Sequence, residues 1–163
     1  MSPDDTELLP FEQPIVSFRR RDLTTRVIIH ESHTPAGDRP RAVDVLRARG
    51  RANGLLEIGY HFVIERNGHT IETRHFAAMG SHAPGCNHDS IGICLSADAQ
   101  WRSEDHPRQL ISLLKVYRTV SLVYERLPVF GHDEVMRRRD RTHKCPSFDM
   151  DWVRDYLGAP NAT

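Results

Sequence analysis

Residues 27–31 read VIIHE, and this short stretch organises the rest of the chain. Three consecutive β-branched side chains are typical of a central strand that is buried on both faces. The run ends in His30, which is followed by the polar residues 31–34. Because the end of a buried strand holds a side chain rigidly, the stretch predicts both a core strand and a fixed imidazole at its end.

A second histidine and a cysteine lie near the C-terminus, in the segments GHDE at 131–134 and THKCPSF at 142–148. His132 and Cys145 stand on irregular, proline-containing chain that follows no helical or strand period, so both can point at one metal ion. A catalytic zinc usually takes three protein ligands and leaves a fourth position for water. His30 is the best candidate for the distant third donor, because Zn²⁺ favours imidazole nitrogen together with thiolate sulfur.

Each of these donors, taken alone, also has an ordinary structural interpretation. Cys145 by itself suits a small buried hydrophobic residue, and His30 by itself suits a hydrogen-bonded core histidine. The zinc hypothesis therefore depends on the three residues occurring together.

The remaining hydrophobic pattern predicts a mixture of strands and helices. Asn67-Gly68 separates two alternating runs, which predicts a β-hairpin with a type I′ turn, because that turn needs positive φ at both central residues. Gly92 interrupts a strand-like run and marks a close backbone approach or a bulge. The predicted strands cover residues 14–18, 27–31, 60–65, 70–73 and 90–96, and the predicted helices cover 42–51, 107–127 and 152–157.

The composition limits the class of protein. The 163 residues, 39% of them hydrophobic, suit one compact domain. Acidic and basic residues are balanced at 22 each, so no global field attracts nucleic acid or an anionic membrane. Three cysteines, an odd number, argue against a disulfide framework.

The N-terminal residues 1–13 are acidic and contain two prolines. We expect a flexible arm there, with the folded domain at residues 14–163. A secretory signal would be basic and then apolar, and no apolar run approaches 18 residues. We therefore expect synthesis in the cytoplasm without a signal peptide, and no insertion into a membrane.

Four blocks of the chain carry a family resemblance, and together they extend from about residue 15 to the end. They are VIIH at 27–30, GYHFVIERNG at 59–68, GSHAPGCNHDSIGIC at 80–94, and GHDE at 131–134 with KCPSF at 144–148. Their order resembles the zinc-dependent N-acetylmuramoyl-L-alanine amidases of the phage T7 lysozyme and peptidoglycan-recognition-protein superfamily. The resemblance implies an α/β (α+β) fold: one domain with a central mixed β-sheet of about five strands flanked by helices.

The resemblance also implies roles for individual residues. His30, His132 and Cys145 match the three zinc ligands of the family. Tyr60 matches the tyrosine that lies beside the nucleophilic water. His143 stands where the family has a catalytic lysine or threonine. As an ordinary alternative, Tyr60 is a core aromatic whose hydroxyl bonds to the backbone.

His143 is the main departure from the family pattern. It can donate a hydrogen bond and, when protonated, bring a positive charge, so it can assist catalysis with a steeper pH dependence. The alternative is an exposed loop histidine. Lys144 is one position off, and on an extended segment its side chain turns to the other face. Residues 136–141 form a basic insertion relative to the phage enzyme.

His82 and Asn87 flank a glycine-rich loop that in this family lines the groove for the glycan and stem peptide. The alternative interpretation is turn chemistry alone. Cys86 and Cys94 are interpreted as free thiols. Six further histidines are assigned structural or surface positions, namely His33, His61, His69, His75, His88 and His106.

The function implied by the resemblance is zinc-dependent hydrolysis of the amide bond between N-acetylmuramic acid and L-alanine in peptidoglycan. A phage or prophage endolysin that acts on the cell wall or in the periplasm is the main hypothesis. We expect peptidoglycan as the partner, no nucleic acid, and a monomeric chain. Two alternatives stay open: a peptidoglycan-binding module without catalysis, and a cytosolic amidase that recycles wall fragments.

Overall fold

The computed structural model describes residues 18–37, 39–136 and 144–161. Within them lies one five-stranded sheet with the strand order β3-β2-β4-β1-β5. The strands are β1 (Arg26–Glu31), β2 (Phe62–Ile64), β3 (Thr70–Glu72), β4 (Ser90–Leu95) and β5 (Val129–Gly131). The helices are α1 (Ala42–Ala52), α2 (Pro107–Tyr124), α3 (His132–Val135) and α4 (Met150–Leu157), with a short 3₁₀ turn at Ser103–Asp105.

The sheet is mixed, because β3 pairs with β2 antiparallel whereas β2, β4, β1 and β5 are parallel neighbours. The predicted α/β class with a central mixed sheet of about five strands is confirmed. β1 lies between β4 and β5, and from Val27 to Glu31 every residue is buried. The apolar run at 27–31 therefore forms a central strand with parallel partners on both sides, as its sequence predicts.

Alternation along β1 assigns its side chains to two different layers. Val27 and Ile29 belong to the larger core, which contains Leu113 and Val120 of α2 and Val153 of α4. The smaller core lies under α1 and contains Val43, Leu46, Ile58, Val63 and Cys94. Because strand side chains alternate with a period of two, His30 faces away from α2, on the same face as its register partner Cys94.

The long helix α2 is anchored to the strand ends by a buried amide. Gln109 has no exposed surface; its Nε2 donates to the carbonyls of Ile64 (2.8 Å) and Ser96 (3.1 Å), and its Oε1 accepts from the indole of Trp101 (2.8 Å). The helix ends three residues before the predicted boundary, because Glu125 adopts a positive φ of 65°.

The hairpin between β2 and β3 forms where predicted, but the predicted turn type is wrong. Of its two central residues only Gly68 has a positive φ, of 89°. Gly68 N–H donates to the Glu65 carbonyl, and Glu65 N–H donates to the His69 carbonyl, each at 2.9 Å. This pattern is a type I turn followed by a glycine bulge. The Asn67 side chain accepts a hydrogen bond from His69 N–H at 2.9 Å and so favours this turn.

The remaining boundaries differ little from the predictions. Helix α4 starts two residues earlier than predicted, because Asp149 caps it by accepting from Asp151 N–H at 2.9 Å. It ends at Leu157 as predicted, and Gly158 caps it with a φ of 62°. Neither the strand β5 nor the four-residue helix α3 was predicted, so His132, which was expected on irregular chain, instead begins a helix directly after a strand. The predicted arm at 1–13 and most of the predicted strand at 14–18 lie outside the described residues. Among the helices described, none has the length and apolar character that crossing a membrane requires.

Candidate metal centre and active site

The fold brings His30 and His132 together at one edge of the sheet. β1 and β5 are parallel neighbours with Ile29 opposite Gly131, so the next residue along each strand is a histidine at the same carboxyl end. Their rings lie 4.5 Å apart, centroid to centroid. The two rings are adjacent because β1 and β5 are parallel and end at the same edge of the sheet. One histidine comes from the segment VIIH at 27–30 and the other from the segment GHDE at 131–134.

Cys145 reaches the same point because the chain returns to the start of α3. Cys145 N–H donates to Asp133 Oδ2 at 2.6 Å, and Asp133 N–H donates to the Cys145 carbonyl at 2.8 Å. A Cβ added to Gly131 would lie 3.0 Å from Pro146 Cδ, so the two segments pack closely. Asp133 therefore fixes the position of the cysteine backbone.

The three donors form a compact group. One ligand atom from each of His30, His132 and Cys145 lies within 4.8 Å of the others, and Cys145 Sγ is 4.0 Å from His30 Nδ1. Ligands of a tetrahedral zinc ion lie about 3.3–3.7 Å apart, given Zn–N and Zn–S bonds of ~2.0 and ~2.3 Å. A contraction of about 1 Å brings the group to that size. Two imidazoles and one thiolate suit a borderline-soft cation such as Zn²⁺ and leave one coordination position open.

Burial keeps the central imidazole neutral. His30 is 1% exposed, whereas His132 is partly exposed, so the group opens on the side of His132. Desolvation, with help from His82 and His132, lowers the pKa of His30 well below its ordinary value. A neutral imidazole is the form that binds a metal ion.

Tyr60 lies beside the metal group, with its ring centroid 4.8 Å from that of His30. Burial, and then the nearby Cys94 and Cys145, raise the pKa of Tyr60 well above its ordinary value. Its hydroxyl therefore stays protonated and can donate a hydrogen bond. Gly59 permits this placement, because a Cβ there would lie 1.9 Å from the Ser81 carbonyl oxygen.

The structure places His82 beneath the metal group. The residue is 8% exposed, and its Nδ1 lies 2.9 Å from Nε2 of His30. Asn87, which is partly exposed, turns its Oδ1 inward to accept hydrogen bonds from His82 N–H (2.9 Å) and Ala83 N–H (2.8 Å). Asn87 thus holds the loop at 82–87 closed, and the ring of His82 contacts His30.

A second polar cluster, which was not predicted from the sequence, lies at the same edge of the sheet. Glu31 is 2% exposed; its Oε2 accepts from the Ser147 hydroxyl at 2.7 Å, and its Oε1 lies 3.1 Å from Nδ1 of His33. His33 has a positive φ of 51° and a half-exposed side chain. Hydrogen bonds to Cys145 and then Glu31 raise the pKa of His33 to about 10.

His33 was predicted to be structural or at the surface, and its half-exposed side chain agrees with that prediction; the residue also belongs to the surroundings of Cys145. The available signal was an acidic residue directly after His30, at the end of a buried strand, with a histidine two positions later. A buried carboxylate needs a partner, and His33 supplies one.

Two predicted features cannot be located in the structure. His143 and the main part of the basic insertion at 136–141 lie outside the described residues. Lys144 is described and exposed. Cys86 and Cys94 are free thiols, as predicted.

Comparison with known proteins agrees with the geometry. The profile of the family described as N-acetylmuramoyl-L-alanine amidase matches residues 20–148. The endolysin of Escherichia phage T7 is 34% identical over 148 residues, which cover 87% of this chain and 94% of the relative. The endolysin of Enterobacteria phage T3 is 33% identical with the same coverage.

Solved structures share the fold. The Ph2119 endolysin from a Thermus scotoductus bacteriophage superposes with a TM-score of 0.71 at 19% identity, covering 90% of this chain and 94% of that one. Drosophila PGRP-LB superposes with a TM-score of 0.66 at 26% identity and coverages of 80% and 79%. With a family profile over most of its length, endolysin relatives above 30% identity, and a His-His-Cys group where the sheet edge opens, the chain belongs to the N-acetylmuramoyl-L-alanine amidase family and is an endolysin-like amidase.

Proposed function

We propose that the chain is a zinc-dependent endolysin that hydrolyses the amide bond between N-acetylmuramic acid and L-alanine in peptidoglycan. One observation supports this most strongly: His30, His132 and Cys145 converge at the open carboxyl edge of the sheet, with ligand atoms within 4.8 Å of one another. All three donors come from one chain, which supports action as a monomer.

In this proposal, His30 Nδ1, an imidazole nitrogen of His132 and the Cys145 thiolate hold Zn²⁺. Zinc supplies Lewis-acid polarisation of the substrate carbonyl and lowers the pKa of a water molecule to about 7. The fold positions these donors at the sheet edge: parallel pairing of β1 with β5 fixes the two histidines, and Asp133 fixes the cysteine backbone.

Tyr60 and His143 are the proposed catalytic residues. The Tyr60 hydroxyl is protonated and adjacent to His30, so it can orient the attacking water or donate to the oxygen that becomes negative. His143 occupies the position of the family lysine or threonine, and we propose that it hydrogen-bonds the developing oxyanion or assists the leaving amine.

The loop at 82–87 is the proposed wall of the substrate groove. Its outer residues Pro84 and Gly85 are exposed, and Asn87 keeps its shape from within by accepting two backbone hydrogen bonds. A loop held by internal bonds can present a preformed surface to a glycan or a stem peptide. In this arrangement His82 and Asn87 contribute to substrate binding mainly by shaping the loop.

The products of peptidoglycan digestion test this function. Purified protein should release stem peptides with new L-alanine amino termini and generate no new reducing sugar ends. A chelator should abolish the release, and added zinc should restore it. A Cys145→Ala variant, which should remove a ligand, is the matched control. New reducing ends, or release that is unaffected by chelation, would contradict the proposal, and binding to sacculi without any release would favour a non-catalytic module.

A further inference from the structure

We propose that His82 is a positioning residue for the metal centre. A one-way chain of hydrogen bonds from His30 through His82 and Ser90 to the Cys86 carbonyl holds His30 in the tautomer that leaves Nδ1 free for the metal ion. The inference rests on the proposed zinc site, and it assigns a role to three residues that supply no ligand atom themselves.

The first step is the orientation of His30. Its Nδ1 faces Cys145 Sγ at 4.0 Å, and its Nε2 faces Nδ1 of His82 at 2.9 Å. A neutral imidazole carries one proton on one of its two nitrogens. When Nδ1 binds a metal ion, the proton must be on Nε2, and Nε2–H must have an acceptor. The acceptor in this structure is a second imidazole.

The Cys86 carbonyl, at the end of the hydrogen-bond chain, determines the direction in which each hydrogen bond donates. The Cys86 carbonyl can only accept, and the Ser90 hydroxyl lies 2.5 Å from it, so Ser90 donates. The Ser90 oxygen then has lone pairs facing Nε2 of His82 at 3.4 Å, which favours a proton on that nitrogen. Nδ1 of His82 is consequently unprotonated and accepts from His30. The Cys86 carbonyl thus selects the tautomer of His30 through three successive hydrogen bonds.

The third step is the pocket that holds the ring. A Cβ on Gly92 would lie 2.6 Å from Cγ and Nδ1 of His82, and a Cβ on Gly80 would lie 2.5 Å from its Cδ2. These two glycines therefore create the space for the imidazole. Gly92 lies inside the buried strand β4, where glycine otherwise weakens a strand. The predicted close approach at Gly92 is this contact with His82.

The effect on metal binding should be measurable. Partners that orient metal-bound histidines typically contribute a factor of about 10–100 to metal affinity. Removing the His82 ring would leave His30 Nε2–H without its acceptor. Because this position is buried, water cannot easily take the place of that acceptor.

The experiment compares zinc affinity in His82→Leu and His82→Asn by competition with a chromophoric chelator. Asparagine places an oxygen acceptor near the position of Nδ1, whereas leucine of similar shape places none. We expect His82→Leu to weaken zinc binding about 10–100-fold, and His82→Asn to restore most of the affinity. A His88→Leu variant, which removes an exposed histidine from the same loop, should bind zinc like the unmodified protein.

A second readout uses no metal at all. In the zinc-free protein, imidazole ¹⁵N chemical shifts should show that His30 is protonated at Nε2. In Ser90→Ala, His30 should become a mixture of its two tautomers, and this variant avoids the change of volume in the His82 variants. Unchanged zinc affinity in His82→Leu, equal losses in both His82 variants, or an unperturbed tautomer in Ser90→Ala would overturn the inference. Failure of the unmodified protein to bind zinc would instead refute the proposed function.

Discussion

At the residue scale, the site depends on a few side chains whose protonation is fixed by burial. The pKa of Tyr60 is raised because its hydroxyl is desolvated and faces two sulfur atoms, so it remains a hydrogen-bond donor. The pKa of His30 is lowered for the same physical reason, so its ring remains a neutral ligand. The low-dielectric environment thus assigns a donor role to one residue and a metal-binding role to the other.

Replacing Tyr60 with phenylalanine tests the donor role. The change removes only the hydroxyl, so zinc content and thermal stability should be retained while kcat falls about 10²–10³-fold, the usual effect of losing one aligned donor or acid. Tyr156→Phe, far from the metal group on α4, is the matched control and should retain full activity. The assay is turnover on soluble muropeptides. Wild-type kcat in Tyr60→Phe would remove Tyr60 from the chemistry.

The sequence predicts the residues of the site better than it predicts how they are held. The strand that ends near His30 is located by its apolar run, but the short strand β5, whose parallel pairing with β1 brings His132 to the same edge, was not predicted. The role of Asp133 depends on the path of the chain back to Cys145, which no periodicity encodes. The contact of Glu31 with His33 depends on a left-handed backbone at a non-glycine residue, and such local conformations have weak sequence signals.

At the element scale, one buried amide connects three segments. Gln109, in the first turn of α2, bonds to the ends of β2 and β4 and to the Trp101 indole. A buried carbonyl at the end of a strand needs a donor. Gln109 donates to the Ser96 carbonyl and adds a second hydrogen bond to the Ile64 carbonyl, which also accepts from Ser96 N–H at 2.9 Å.

Gln109→Ala should therefore lower the free energy of unfolding by about 2–4 kcal/mol, because it removes the donor to the Ser96 carbonyl, the acceptor of the Trp101 indole N–H and one of the two hydrogen bonds to the Ile64 carbonyl. Gln100→Ala, at an exposed position nearby, should change it by less than about 0.5 kcal/mol. Urea unfolding of the two variants measures the difference. Equal stability of both would show that water or a repacked side chain satisfies these groups.

The elements that the sequence predicts correctly are those with long patterns. β1 and β4 have strand-like apolar runs, α1 and α2 have helical spacing, and the bounds of all four are correct to within a few residues. The hairpin turn was assigned the wrong type because Asn-Gly is compatible with more than one turn, and the Asn67 side chain selects the bulged form. Helix α3 is too short, at four residues, to show any periodicity.

At the scale of the whole molecule, burying neutral histidines makes stability depend on pH. His61 has no exposed surface, and desolvation lowers its pKa to about 4. The pKa values of His30 and His82 are lowered in the same direction. In the unfolded chain these three histidines bind protons near pH 6.5, whereas in the folded chain they stay neutral until the pH is much lower. Their contribution to the free energy of unfolding is therefore complete above pH 6.5 and is lost as the pH falls towards 4.

The unfolding free energy of the zinc-free protein should consequently fall between pH 6.5 and pH 4, with a share of roughly 3 kcal/mol from His61 alone. Urea unfolding at intervals across this range measures the slope, and His61→Gln should reduce it. A flat profile from pH 7.5 to 4.5 would show that the buried rings are protonated in the folded state.

The most direct test of the account is the metal content of the purified protein beside its His30→Ala, His132→Ala and Cys145→Ala variants. We expect about one zinc ion per unmodified chain, little or none in each folded variant, and loss of amidase activity in step with the loss of metal. A fully active protein without zinc, or a Cys145→Ala variant that keeps both its metal and its activity, would contradict it.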